Sequence, residues 1–374
     1  MPRHPHTSTA LLSARDGVFS RLGPRIAQLQ GEIYPLHIGD SWLAPPPGCA
    51  VGDLPTTPDL HRYTRPHGHD ALLGAIADTL VVPPERLLVT AGATGALDAL
   101  AGTLLDLGDE VIICAPFWPL IRGIVTSHRG VAVEADVMLD PAPPAAAIEA
   151  LVTERTVAIY VNSPHNPTGR VLPEEHLRGI AEVARRHDLW VWSDCVYASH
   201  SFGPAVVPMR DIAPERTFEA HSFSKVWAMA GYRCGFLVGP EDPEPMARVR
   251  ATSTHTYYSA PTPSQLAAAR ALREGQGWLA DSLAHYRAAG FAAAERLGVA
   301  PPEGGTFLFV DVAEGLDEGG LEGFLHRCID RNLVLAPGTA CGTAYEHHVR
   351  LCFTCSPPDV TARGVDVLAE LLGR

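Results

Sequence analysis

Lys225 stands in the stretch HSFSKVWAMAGYRCG as the one lysine among the chain's 29 lysines and arginines. Arginine stays charged at every accessible pH, whereas a desolvated lysine can lose its proton and attack a carbonyl as a free amine. A lysine kept in an arginine-using chain is therefore a candidate nucleophile, set against the alternative of compositional drift on a solvated face. Two hydroxyls, Ser222 and Ser224, precede it, and Arg233 follows it by eight residues. Hydroxyls and a guanidinium together can cradle a phosphate.

Three further segments carry unusual residue sets. In VTAGATGALDAL a hydrophobic run gives way to Gly92, Ala93 and Thr94 and then to a helical pattern, so backbone N–H groups at a helix start could take an anion. Alone this is weak, because such glycines are common in α/β turns. In NSPHNPTG, Asn166 precedes a proline and a Thr-Gly turn. In VWSDCVYASH, Asp194 closes a hydrophobic run with Tyr197 three residues on, and a carboxylate so placed needs a cationic partner.

These segments must be held by alternating elements. From about residue 85 short β-branched runs (LLVT, EVIICAP, GVAVEADV, TVAIYVN, LWVWSD, TFEAHS, RCGFLVG) take turns with helical patterns such as GALDALAGTLLDL and PEEHLRGIAEVARRH. That alternation predicts βαβ units and an α/β fold with a mostly parallel central sheet flanked by helices. Functional residues then belong in loops at the carboxyl ends of the strands. After about residue 275 a long helical stretch precedes TFLFVDV, LEGFLHRCID, NLVLAPG and VRLCFT. The expectation is a large domain over residues 45–275 and a smaller α+β domain formed by both termini, residues 1–44 and 276–374. No repeat with a period of about 20–50 residues is evident, which excludes a solenoid.

Composition narrows the class. With 374 residues and 46% apolar side chains the chain can bury a large core. Its apolar runs are broken well short of the ~18 residues a membrane-spanning helix needs. The first residues, MPRHPHTSTALLSARDG, show no apolar core of a secretory signal, so a cytoplasmic address is expected. A formal charge of −13 with scattered arginines speaks against nucleic acid as a partner. Eight cysteines spread through the chain suit a reducing compartment. Cys352 and Cys355 form a single CxxC, which lacks the second pair or histidines of a zinc site, so no metal is expected and both are read as packing residues.

Taken together, SFSK with Arg233 eight residues on, NPTG and the Asp-x-x-Tyr strand end resemble class I/II aminotransferases of the fold type I pyridoxal-phosphate enzymes, over roughly residues 33–355. The resemblance implies that pyridoxal 5′-phosphate is the cofactor and that Lys225 forms a Schiff base with its aldehyde and later shuttles a proton. It implies that Asp194 pairs with the ring nitrogen, that Asn166 and Tyr197 hydrogen-bond the ring's phenolate oxygen, and that Trp118 stacks on the ring face. The phosphate would sit among Ala93, Thr94, Ser222, Ser224 and Arg233, with Tyr63 reaching it from the neighbouring subunit of a homodimer. Arg350 would hold the substrate carboxylate, and Gly39 would let the N-terminal segment close over it, a role weighed against that of a plain turn glycine. An amino acid and a 2-oxo acid would exchange an amino group in ping-pong order.

The sequence also departs from the family's pattern. Cys195 replaces the acidic residue that often follows the strand-end aspartate. His37 and His165 flank the closing segment and the NPTG turn, and either could contact substrate or simply be structural. Gly95 stands where aspartate-specific relatives often carry a basic residue, and THTYYSAPTPSQ offers Tyr257 and Tyr258 without an arginine, so a non-acidic amino donor is expected. Two rivals remain: a C–S β-lyase or other fold type I enzyme built on the same residues, and a non-catalytic cofactor-binding regulator.

Overall fold

The computed structural model describes residues 22–54 and 60–374. The expected strands β1 (Leu87–Thr90), β2 (Glu110–Ala115), β3 (Val131–Asp136), β4 (Thr156–Asn162), β5 (Trp190–Asp194), β6 (Thr217–Ser222) and β7 (Gly235–Val238) form one seven-stranded sheet in the order β1-β7-β6-β5-β4-β2-β3. All neighbours in it run parallel except β7, which is antiparallel to both β1 and β6. A second, three-stranded antiparallel sheet joins β8 (Phe307–Asp311), β10 (His348–Cys352) and β9, which is only Ala336–Pro337.

The helices of eight or more residues are α1 (Asp70–Leu80), α2 (Gly92–Leu104), α3 (Leu120–Ser127), α4 (Glu174–Arg186), α5 (Pro243–Thr256), α6 (Thr262–Glu274), α7 (Gln276–Leu297), α8 (Gly320–Asp330) and α9 (Pro358–Leu371). Among the described residues, no helix is long and apolar enough to cross a membrane. The helices cover both faces of the large sheet. On one face Leu97, Leu100, Trp192 and Phe218 share a cluster, and on the other Ile112, Val161, Ile180 and Val191 share another. Burial on both faces is why these strands read as nearly unbroken apolar runs rather than as alternating ones. A separate cluster links Leu22 and Leu36 to Tyr286, Leu308, Phe324 and Leu368, so residues from the two ends of the chain pack on the small sheet.

Register brings the chemistry to one edge. Asn162 pairs with Asp194 across β4 and β5, and Asp194 with Ala220 across β5 and β6. Three parallel neighbours therefore end together, at Asn162, Asp194 and Ser222.

Candidate cofactor and substrate site

At that strand-end edge lies a cavity of about 310 Å³. Lys225, Asp194, Tyr197, Asn166, Ala93, Thr94, Trp118, Ser222, Ser224, Arg233, Arg350, Gly39 and His37 all line it. Residues that the sequence scatters from 37 to 350 are thus brought to one place.

The anion-receptive end is built by the turn between β1 and α2. Gly92 opens the helix with φ +74°, no acidic residue lies in the first turn, and no side chain caps it. The free amides of that turn therefore face the cavity with the positive end of the helix dipole. Ser222 donates its hydroxyl to Ser224 Oγ at 2.9 Å, and Arg233 Nη1 donates to Ser224 Oγ at 3.3 Å. A Cβ on Gly92 would lie 2.5 Å from Arg233 Nη2, so only glycine leaves the guanidinium its place beside the helix start.

The middle of the cavity holds Asp194, 4% exposed. Tyr160 donates to its Oδ2 at 2.7 Å and the Val196 amide to its Oδ1 at 3.1 Å. Burial pushes its carboxyl above the usual range, and those two donors act in the opposite direction. Its backbone carbonyl accepts from Asn162 Nδ2 at 2.8 Å, and Asn162 Oδ1 accepts the Asn166 amide at 2.7 Å. Tyr197 is 3% exposed, and burial raises its phenol. Lys225 donates its ammonium to the Gly39 carbonyl. Burial is the largest influence on that amine and lowers its pKa, which favours the nucleophilic free base.

At the far end Arg350 is 7% exposed. It donates from Nη1 to Asn166 Oδ1 and from Nη2 to the His37 carbonyl, each at 3.1 Å, and lies 4.3 Å over the Phe307 ring. Its Nε has no hydrogen-bond partner among the described residues. Among those residues no ion pair reaches Lys225, Arg233 or Arg350. Of the three, Arg350 is a buried guanidinium, Lys225 is half-buried and Arg233 is exposed. A buried guanidinium without a counter-charge costs several kcal/mol, so Arg350 calls for an anionic ligand, and Arg233 beside the helix start can take a second. A phosphate at the Gly92–Arg233 end and a carboxylate at Arg350 meet that requirement, and Asp194 between them can balance a protonated ring nitrogen. The donor set therefore fits pyridoxal 5′-phosphate.

Several expected participants stand elsewhere. Tyr63 is 86% exposed, packs 4.8 Å from Tyr258 and does not line the cavity of its own chain. Neither Tyr257 nor Tyr258 lines it. His165 is 1% exposed, outside the lining, and bonded through Nδ1 to Thr168 Oγ1 at 2.7 Å; burial lowers its pKa to about 3, so it is a neutral structural residue of the turn. His37 does face the cavity, and burial lowers it to about 4, so near neutral pH it presents an uncharged ring. Cys352 and Cys355 are both free thiols, with Cys355 donating to the Pro35 carbonyl.

Cys195 belongs to the opposite sheet face. Among the described residues, Cys195, Glu219 and His221 form the one group of three metal-capable donors. Arg210 occupies both Glu219 oxygens, through its backbone amide at 3.0 Å and its guanidinium at 2.5 Å. The cluster is therefore an internally neutralised ion pair. The residues missed in the sequence are Tyr160, Asn162, Ile38, Pro119, Leu120, Val196 and Phe307; all but Tyr160 line the cavity, and Tyr160 reaches it through Asp194.

Residues 50–368 match the family model described as aminotransferase class I and II. A probable aspartate/prephenate aminotransferase of Thermus aquaticus is 38% identical over 188 residues, spanning 48% of this chain and 49% of that protein. The chain thus aligns with about half the length of that relative. An arginine–pyruvate transaminase of Pseudomonas aeruginosa is 34% identical over 381 aligned positions, 92% of each protein. In three dimensions the N-succinyldiaminopimelate aminotransferase of Mycobacterium tuberculosis superposes with a TM-score of 0.88 at 28% identity, covering 98% of this chain and 100% of that one.

Proposed function

The chain belongs to the aminotransferase class I and II family of pyridoxal-phosphate-dependent enzymes, and from that premise we propose that it moves an amino group from a non-acidic L-amino acid to a 2-oxo acid in ping-pong order. The observation that carries this reading is the convergence of Lys225, Arg233 and Arg350, without carboxylate partners among the described residues, on the cavity that also holds Asp194.

When bound, pyridoxal 5′-phosphate supplies an aldehyde that captures amino groups and a ring that withdraws electrons from the substrate Cα. The protein's own residues do the rest. Lys225 Nζ would hold the aldehyde carbon and, as a free amine, would accept and return the proton of the substrate Cα. Asp194 keeps the ring nitrogen protonated. Asn166 and Tyr197 donate to the phenolate oxygen, and Trp118 covers one ring face. Ala93, Thr94, Ser222, Ser224 and Arg233 bind the phosphate, joined by Tyr63 from a second copy of the chain. Arg350 grips the substrate carboxylate, and Gly39 sits beside Phe307 in the segment that closes over it. Such positioning can remove roughly 7–11 kcal/mol from a barrier in favourable cases.

Support for a non-acidic donor is the inventory of charges. Arg233 serves the phosphate and Arg350 the α-carboxylate, so among the described residues this chain's lining keeps no further arginine for a distal carboxylate. What remains at the mouth is Ile38, Leu120, Phe307 and a neutral His37. The experiment mixes purified holoenzyme with single amino acids and follows conversion of the visible cofactor band to the amine form. Conversion by apolar or aromatic donors, with parallel-line kinetics when an oxo acid is added, is expected. Saturable turnover of aspartate with a micromolar KM overturns the donor assignment, and release of pyruvate and ammonia without any oxo acid points instead to a C–S lyase. Sedimentation should give twice the 40.0 kDa chain mass; a monomer that keeps full activity contradicts the role given to Tyr63.

A further inference from the structure

We propose that Tyr160 is a positioning residue: its hydroxyl clamps Asp194 in the orientation that lets this carboxylate keep a proton on the ring nitrogen of the cofactor. The inference rests on the reading that Asp194 faces that nitrogen.

Tyr160 is an aromatic residue in an otherwise aliphatic strand interior, AIYVN at the end of β4, and is 1% exposed. A buried phenol must spend its hydrogen on an acceptor. Here the acceptor is Asp194 Oδ2, at 2.7 Å, a short contact of the kind made to an ionised oxygen. The only other donor to the side chain among the described residues is the Val196 amide, on Oδ1. Each oxygen thus has one protein donor, and the remaining lone pairs are free to meet a ligand in the cavity. Asp194 is 4% exposed, burial pushes its proton affinity up, and these two bonds oppose that push.

The consequence follows from proton sharing. A ring nitrogen and a carboxylate in contact compete for one proton, and the carboxylate with the lower affinity leaves it on the nitrogen. Removing the Tyr160 hydroxyl raises the affinity of Asp194 and moves the shared proton toward the carboxylate. It also frees the carboxylate to turn about its bond to Cβ. Both changes weaken binding of the cofactor, and neither needs any contact between Tyr160 and the cofactor itself.

The test uses Tyr160→Phe, which deletes one oxygen from the buried ring, in the parent and in an Asp194→Ala background. Dialysed protein is titrated with pyridoxal 5′-phosphate, and protein loaded with cofactor ¹⁵N-labelled at the ring nitrogen is examined by NMR. In the parent, Tyr160→Phe should weaken binding about 10-fold, the value of one hydrogen bond to a charged group, and move the ring-nitrogen resonance toward that of neutral pyridine. In Asp194→Ala the same substitution should change affinity less than 2-fold. Equal losses in both backgrounds, or no loss in the parent with an unmoved resonance, overturn the proposal. If Asp194→Ala alone leaves cofactor affinity unchanged, the placement of the ring nitrogen is wrong, an outcome distinct from failure of Tyr160. Should Tyr160→Phe not fold, the ¹⁵N resonance of the parent alone still decides: a neutral nitrogen at pH 7 contradicts the clamp.

Discussion

At the scale of single residues, Arg350 shows why side-chain shape matters as well as charge. Its two terminal nitrogens present a fork, already oriented by Asn166 Oδ1 and the His37 carbonyl and supported by the Phe307 ring. Lysine in its place keeps the charge and loses the two-point grip. Arg350→Lys should raise KM for the amino acid roughly 10- to 100-fold, in line with loss of a charged hydrogen bond, while cofactor affinity stays within a factor of two; a larger effect on cofactor than on substrate would misplace the residue. Lys225, Asp194 and Arg233 were legible as cavity residues because their types stand out beside their neighbours, whereas Arg350 was placed only through the family resemblance. Tyr160 was not legible, because a tyrosine inside TVAIYVN looks like core packing until the partner of its hydroxyl is known. For His165 the sequence left a structural and a substrate-contacting reading open, and its burial and hydrogen bond to Thr168 favour the structural one.

At the scale of elements, the decisive piece is the strand-turn-helix unit from β1 to α2. Gly92 has φ +74°, and a Cβ there would meet Arg233 Nη2 at 2.5 Å. Gly92→Ala therefore combines a left-handed backbone penalty of about 1–2 kcal/mol with displacement of the guanidinium. The variant should melt several degrees lower as apoprotein and bind pyridoxal 5′-phosphate more than 10-fold more weakly; unchanged affinity would mean that the phosphate sits elsewhere. The parallel strands were legible because burial on both faces makes each a continuous apolar run. Helix α5 was not: PEPMARVRATSTHT buries only Met246, Val249 and Ser253, a stripe too narrow to register as amphipathic, although Asp242 caps it by accepting the Glu244 amide. Strand β9 shrank to two residues because the rest of NLVLAPG pairs elsewhere, with Leu333 bridging Tyr34.

For the whole molecule, we propose division near residues 44 and 275, in keeping with the cluster that joins Leu22 and Leu36 to residues beyond 285. On that division the site lies between the two units, Lys225 of the one donating to the Gly39 carbonyl of the other. Acid should loosen this assembly in a predictable window. His165 and His200 are fully or almost fully buried, and burial lowers each to about 3. The native rings stay neutral while the unfolded chain takes up protons below its ordinary histidine pKa of about 6.5. Their contribution is therefore intact above pH ~6.5 and is lost as pH falls from there toward 3, at about 1.4 kcal/mol per unit for each ring. Urea midpoints should drop between pH 7 and 5, and less so in His200→Phe; an identical pH slope in that variant would contradict the assignment.

The central claim is that the only lysine in the chain holds the cofactor covalently. Borohydride reduction of the holoenzyme followed by peptide mapping tests it directly. The account predicts a pyridoxyl group on the peptide containing Lys225 and loss of that adduct in Lys225→Ala; cofactor that is removed intact by gel filtration after reduction, leaving Lys225 unmodified, would contradict it.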